Sequence, residues 1–309
     1  MTLTSRPYQG DSDFWRIRAF LREVLPLNSF HMNSWHLARF DYWWWHVNKN
    51  IHMMRPEEII WLWEDANNKL AALLIPDSPG EGFINIHPAY HRLDLQEEMI
   101  ITAQEKLARV DSDGKRHLRI WVEEHDIACG DALAREGYAK GLWPESMRTR
   151  TLEAPITPVA LAPGYAVRPM GDGLELLDRC YASGLAFHAN DIQYAVNNRN
   201  DVTWYRNIQT APLYRRDLDI VAIAPDGSVT SFCTVWFDDI TRTGVFEPVA
   251  TVPAHQRRGL GKAVMAEGLR RLQRMGATRA YVSSYSVEAG ALYASMGFTD
   301  YDLLVPWEK

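Results

Sequence analysis

The chain has only three cysteines in 309 residues, Cys129, Cys180 and Cys233. Three thiols so scattered build neither a disulfide framework nor a cysteine-rich zinc site, and such sparse use fits a reducing compartment. No apolar run approaches the roughly 18 residues a membrane helix needs. The opening, MTLTSRPYQGDSDF, lacks a basic-then-apolar leader. There is no excess of basic residues either: 33 Lys and Arg against 39 Asp and Glu give a net charge of -6, which argues against a nucleic-acid partner. Glycine (19) and proline (16) are too few for a collagen-like or linker-dominated chain. His31, His36, His46 and His52 show no metal-ligand spacing beyond an approximate helical repeat, so no metal is expected. The expectation is a cytoplasmic, soluble protein with no membrane association.

What is present is an apolar share of 47%, enough for the cores of about two domains at this length. The clearest boundary is residues 152–164, LEAPITPVALAPG, where Pro155, Pro158 and Pro163 disfavour helix and predict an extended, irregular linker. Similar phrases flank it. Arg6-Pro7 and Arg168-Pro169 each precede an apolar helical pattern, at an offset of 168 − 6 = 162. Pro88 in INIHPAY answers Pro253 in VATVPAH, at 253 − 88 = 165, and Gly137 answers Gly297, at 297 − 137 = 160. Three anchors in one order predict a duplicated unit of about 150 residues. In the second copy, strands are expected at Tyr165–Arg168, Leu218–Ala224, Val229–Phe237, Gly244–Val252, Tyr281–Tyr285 and Asp302–Val305, with helices at Gly259–Met275 and Ala289–Met296. In the first copy the strands are Ile59–Glu64, Leu70–Ile75, Gly82–Ile86 and Leu118–Glu123, with helices Leu95–Val110 and one ending at Glu136. Antiparallel strands followed by strand–helix–strand–helix make an α+β chain with mixed sheets.

The sharpest segment runs from Val252-Pro253 through Gln256, Arg257, Arg258, Gly259, Leu260, Gly261 and Lys262 into an amphipathic helix. Two glycines let backbone N–H groups approach a ligand, and a helix N-terminus adds orphan donors and positive dipole, which together suit a pyrophosphate. A Walker A loop is excluded because Ala263 follows Lys262, and a dinucleotide fingerprint because Val264 replaces its third glycine. The arrangement Gln256-x-x-Gly259-x-Gly261 after a Val-x-Pro strand end resembles the acetyl-CoA loop of the GNAT acetyltransferase superfamily. Ala289-x-x-Leu292-Tyr293-x-x-x-Gly297-Phe298 resembles that superfamily's second hallmark. One departure is Ser286, seven residues before Tyr293, where many members carry asparagine.

The resemblance implies two tandem GNAT-like domains, each a mixed central sheet flanked by helices. Residues 1–151 form one domain, 152–164 a linker and 165–309 the catalytic domain. It further implies acetyl-CoA as co-substrate. Backbone groups of Val249, Ala250 and Thr251 would pair with the pantetheine arm, the loop Gln256–Lys262 would hold the pyrophosphate, and Ser286 would add a contact. Pro248, inside a strand, predicts a bulge or edge beside the cofactor wedge. Acetyl transfer to a primary amine needs a base for the ammonium proton and an acid for the leaving thiolate. Glu247 is the candidate base, placed by alternation on one face with Val249 and Thr251. The implied acid is Tyr293. Asp238 and Asp239 are an alternative acidic mouth or a solvated turn.

In the first half, aligning the two prolines puts Asp94 at Gly259 and Gln96 at Gly261, and Leu133 falls at Tyr293. That half therefore resembles a degenerate domain that keeps the fold without the site; tandem forms, one resembling mycothiol synthases, are known in the superfamily. It holds nine of the twelve tryptophans, and Trp43–Trp45 cannot all share one helix face. The loop Phe187–Tyr194, with His188 and Asp191, is a candidate cap for the acceptor. The acceptor, a small-molecule or peptide amine, is not identified by the sequence. A non-catalytic acyl-CoA-binding or regulatory module and a transferase of longer acyl groups are the rival readings. A duplicated chain that pairs internally predicts a monomer.

Overall fold

The structure is a computed structural model that describes residues 2–309, and these divide into two compact units. The first runs to Met147 and also takes in Tyr301–Lys309; the second is Arg148–Asp300.

In unit 1, β1 (Thr4–Pro7), α1 (Asp11–Leu27), α2 (Leu37–Tyr42), a π-helical stretch Trp43–His52 and α3 (Pro56–Ile59) precede β2 (Trp61–Glu64), β3 (Leu70–Ile75) and β4 (Glu81–Ile86). Then come α4 (Leu93–Lys106), a small hairpin of β5 (Arg109–Val110) and β6 (Arg116–His117), β7 (Arg119–Glu123), α5 (Ile127–Arg135) and β8 (Ala139–Lys140). β9 (Glu145–Thr151) carries the chain onward. Unit 2 contains β10 (Ala166–Pro169), α6 (Glu175–Phe187), α7 (Ile192–Asn197), α8 (Thr203–Gln209), β11 (Asp219–Ile223), β12 (Val229–Asp238), β13 (Thr243–Thr251), α9 (Leu260–Arg274), β14 (Arg279–Ser284) and α10 (Val287–Ser295). The final strand is β15 (Asp300–Glu308).

Both units are built alike. β1–β4 pair as antiparallel neighbours, as do β10–β13. A helix, α4 or α9, then crosses over to a parallel strand: β7 on β4, and β14 on β13. Parallel neighbours need such a crossover. The repeat extends to single side chains. Arg6 donates to Asp13 and to the Pro7 carbonyl, and Arg168 donates to Glu175 and to the Pro169 carbonyl. The amides of Gln9 and Gly171 bond the same two carboxylates. Asp126 caps α5 by accepting from Cys129 N, and Ser286 caps α10 by accepting from Ala289 N, both at 3.1 Å. Gly137 and Gly297 both hold φ 85°.

The last strand departs from expectation. β15, assigned by sequence to the second half, pairs antiparallel with β7 in unit 1. Reciprocally, Arg148–Thr151 belongs to unit 2, where Thr149 Oγ1 donates to the Ala280 carbonyl of β14. Neither segment's own pattern names its neighbour, because hydrophobic alternation is the same whichever sheet edge receives the strand. Residues 152–164 have no regular secondary structure, yet Leu152 and Ile156 are buried in the unit 2 core.

The unit 2 core lies between α9 and the sheet. Leu260, Val264, Met265, Leu269 and Leu272 form the buried stripe of α9, a 3.6-residue periodicity. The helix lies close to the strands: a Cβ on Gly268 would stand 2.7 Å from the Phe246 ring. In unit 1, Trp43 is buried against Trp35 and Phe40, Trp44 packs on Tyr8, Phe14 and Phe40, and Lys49 lies over Trp45. Among the described residues no helix is long and apolar enough to cross a membrane, and no group of three or more His, Cys, Asp or Glu is placed to hold a metal.

Candidate active site

β13 and β14 are joined only at the start of β13, where Thr243, Gly244 and Val245 face Arg279, Ala280 and Tyr281. Beyond Val245 that register stops, although β13 continues to Thr251 and β14 to Ser284. On its other side β13 stays paired with β12, with Val249, Ala250 and Thr251 facing Cys233, Phe232 and Ser231. The backbone of Val249–Thr251 therefore borders a splay between two strands. The ladder to β12 is also interrupted, since Glu247 and Pro248 together stand opposite the single residue Thr234. This is a bulge on β13, the disruption expected of a strand proline. It also breaks the two-residue alternation, so counting from Glu247 does not fix its face relative to Val249 and Thr251.

The splay leads into the glycine loop. After a 3-10 turn at Pro253–His255, Arg257 and Gly259 both take the left-handed conformation, with φ 63° and 78°. Gly259 is the N-cap of α9 and no side chain caps the helix, which leaves the first-turn N–H groups to a ligand or solvent. A Cβ on Gly259 would meet nothing within 4 Å, and one on Gly261 would stand 3.4 Å from Thr251 Oγ1 and from Leu292. Gln256 Nε2 donates to the Thr251 carbonyl at 3.2 Å, which ties the loop to the strand end. Arg257, Arg258 and Lys262 are exposed. Arg258 donates to Tyr165 Oη at 2.8 Å, and that hydroxyl also meets His255 Nδ1 at 2.8 Å. The arrangement is an uncapped helix N-terminus with flanking cations and no side chain blocking approach, and it fits an anionic phosphate ligand.

Tyr293, on α10, is 6% exposed. Burial first, and then the nearby charge of Glu247, push its phenol well above the usual value, so it carries its proton at neutral pH. Glu247 and Tyr293 are thus electrostatic neighbours although 46 residues apart (293 − 247). Trp236 Nε1 donates to the Glu247 carbonyl at 2.6 Å and holds the bulge; no sequence spacing signals this contact. The same is true of Ser231, whose hydroxyl donates to the Ala250 carbonyl at 2.9 Å, and of the Tyr165–His255–Arg258 cluster.

Other expected residues take structural places. The Ser286 hydroxyl is the α10 cap. Asp238 is fully buried and accepts from Thr241 Oγ1 at 2.7 Å within the β12–β13 turn, so it lines no acidic mouth. Asp191 caps α7 and the His188 ring lies 3.8 Å from that of Tyr194, so the expected loop is a short helix–helix connection.

Unit 1 splays at the matching place. β4 and β7 pair only over Glu81–Phe83, which leaves three residues of β4 beyond the junction, against six in β13. The helix starts correct the sequence alignment: the caps are Arg92 and Gly259, so the loop is two residues shorter and Asp94, not Gln96, falls at the place of Gly261. Asp94 is exposed in the first turn and pairs with Arg92 at 2.8 Å. A carboxylate there repels a phosphate. Leu133, at the place of Tyr293, is fully buried and carries no proton to donate.

Residues 175–298 match the model of the Acetyltransferase (GNAT) family. The chain is 28% identical over 251 residues to the mycothiol acetyltransferase of Pseudarthrobacter chlorophenolicus, covering 74% of this chain and 69% of that protein. It is 27% identical over 241 residues to that of Kineococcus radiotolerans, covering 74% and 73%. Its fold is shared with a GCN5-related N-acetyltransferase from Sphaerobacter thermophilus (TM-score 0.68, 14% identity, 99% of this chain and 95% of that one). It is shared as well with a tandem GNAT protein from the clavulanic acid biosynthesis pathway (TM-score 0.65, 14% identity, 100% and 98%). With a repeated sheet, a splay in each copy and the glycine loop in the second, residues 175–298 form a GNAT-family domain, and the chain shares the fold of a tandem GNAT protein.

Proposed function

We propose that the chain is an acetyl-CoA-dependent N-acetyltransferase with one active site, in unit 2, acting on a primary amine of a small molecule. The observation that carries this reading is the run of β13 beyond Val245, unpaired with β14 and leading straight into the open glycine loop of α9. The mycothiol acetyltransferases it resembles support a small-molecule amine as acceptor.

Bound acetyl-CoA supplies an acyl thioester, whose acetyl group leaves sulfur for the amine nitrogen. Val249, Ala250 and Thr251 offer main-chain groups to the pantetheine amides, and Gln256–Lys262 cradles the pyrophosphate. The Glu247 carboxylate takes the proton an ammonium must lose before its nitrogen is a nucleophile. The Tyr293 hydroxyl, kept protonated by burial, gives its proton at the sulfur. Direct attack is supported by the state of the two cysteines of unit 2: Cys180 and Cys233 are both buried, and burial raises each thiol well above the usual value. Such a thiol is not an acyl-accepting nucleophile.

The test is thiol release from acetyl-CoA with a panel of small primary amines. The reading expects amine-dependent release that is faster with acetyl-CoA than with longer acyl-CoAs. Tight acyl-CoA binding without release would indicate a binding module, and preference for a longer chain would change the acyl donor.

A further inference from the structure

Unit 1 contains a cavity of about 450 Å³, bordered by the splay of β4 and β7 and by the chain before α2. It is large enough for a small organic ligand. Four residues lining it, Asn28, Ser34, Trp35 and Gln96, each have a buried polar atom with no hydrogen-bond partner among the described residues: Nδ2, Oγ, Nε1 and Oε1 respectively. Ser34, Trp35 and Gln96 are 7%, 3% and 1% exposed. Buried polar groups are almost always paired, so four orphans around one cavity mark a built site.

The chemistry of the occupant follows from these groups. Asn28 Nδ2 and Trp35 Nε1 can only donate, Gln96 Oε1 can only accept, and Ser34 Oγ does either. A hydroxyl, at once donor and acceptor, answers all four. The charges of the wall are already paired: His125 meets Glu123 at 2.8 Å, His91 meets Asp126 at 3.3 Å, and Arg39 meets Glu145, behind the lining, at 2.8 Å. No unbalanced charge is left for an ionic ligand, and Asp94 at the neighbouring helix start disfavours a phosphate. The Trp35 and Phe83 rings of the wall are covered by Arg39, at 5.0 and 4.6 Å from their centroids, and Trp121 stacks on Phe83, so recognition falls to the polar atoms.

We propose that this cavity is a binding site for a neutral polyhydroxylated compound such as a sugar or cyclitol. The site is separate from the acetyl-transfer centre of unit 2 and does not depend on the reading of that centre.

The experiment is calorimetric titration of the full chain with myo-inositol, D-glucose and N-acetyl-D-glucosamine, in the absence and presence of saturating acetyl-CoA. At least one probe is expected to bind once per chain, and to bind equally well with acetyl-CoA present. Ser34→Ala removes a hydroxyl that pairs with nothing among the described residues. It should weaken binding about three- to tenfold, the worth of one hydrogen bond, while leaving the melting temperature unchanged or higher. Trp35→Phe, which removes the orphan N–H, should weaken it in the same direction. Failure of all three probes to bind, displacement of the probe by acetyl-CoA, or undiminished binding in both variants would overturn the assignment. A lowered melting temperature in Ser34→Ala, with probe affinity unchanged in Trp35→Phe, would mean that these groups serve the fold alone and would also overturn it.

Discussion

Tyr293 and Leu133 stand at matched places in the two repeats, and under the proposed mechanism this pair separates a chemical residue from a packing one. Both sit before a left-handed glycine, and Phe298 N bonds Tyr293 O at 3.1 Å as Tyr138 N bonds Leu133 O at 3.0 Å. Only one of the two carries a hydroxyl. Tyr293→Phe keeps the ring and removes that oxygen, so single-turnover acetyl transfer is expected to fall on the order of 10²–10⁴-fold. Acetyl-CoA affinity should change little, because loop and strand backbone supply most of it. Wild-type single-turnover rates in the Phe variant would remove the acid role. The raised phenol value also has a sign: as the proposed acid Tyr293 acts in its protonated form, so raising the pH from neutral to moderately alkaline should not deplete it. A pH–rate profile in which the alkaline limb persists in Tyr293→Phe would agree; a limb abolished by that substitution would not. At Gly261 the space to Thr251 and Leu292 admits a methyl group but little more. Gly261→Val should therefore weaken CoA binding about 10- to 100-fold by excluding one charge-assisted hydrogen bond of about 1.5–3 kcal/mol, with the helix intact. Equilibrium binding together with circular dichroism checks both halves of that statement.

At the scale of elements, β1 and α1 of unit 1 are joined by Arg6, which binds Asp13 at 2.6 Å and, on β2, Glu64 at 2.8 Å. The Arg6 hydrogen bond holds the Asp13 carboxyl below its usual range against the opposing effect of burial. A depressed carboxylate contributes stability that is complete above its unfolded value, near 3.9, and is lost as pH falls through its native one. Asp13→Asn should cost about 1.5–3 kcal/mol near neutrality and progressively less on acidification, as read from denaturant unfolding at several pH values. An effect independent of pH would detach the pair from the acid sensitivity of unit 1. The Arg-Pro phrases visible at 6 and 168 are the outward sign of this strand–helix clamp. Their carboxylate partners, seven residues on, carry no pattern of their own, which is why the sequence gives the anchor without its function. The glycine loop was legible because its chemistry is local: two glycines, a helix start and cations within seven residues. The bulge at Glu247–Pro248 was legible only as an interrupted strand, since the two-against-one pairing depends on β12. The Trp236 contact and the Ser286 cap depend on tertiary placement or on a cap that competes with a ligand role.

For the whole molecule, the duplication was readable from three offsets, and both copies repeat strand order, clamp, cap and splay. Where β15 and Arg148–Thr151 belong was not readable, because strand alternation does not say which sheet edge will receive a strand. The repeat makes the difference between the copies informative. One splay ends in an open glycine cap with cations, and the other in Arg92 and Asp94 over a shorter loop. On the proposed reading the same scaffold presents one phosphate cradle per chain. Calorimetric titration of the full chain with acetyl-CoA tests this most directly. The prediction is a single site per chain, strongly weakened in Gly261→Val and unchanged in Asp94→Asn. Two equivalent sites, or a single site that Gly261→Val leaves intact, would contradict it.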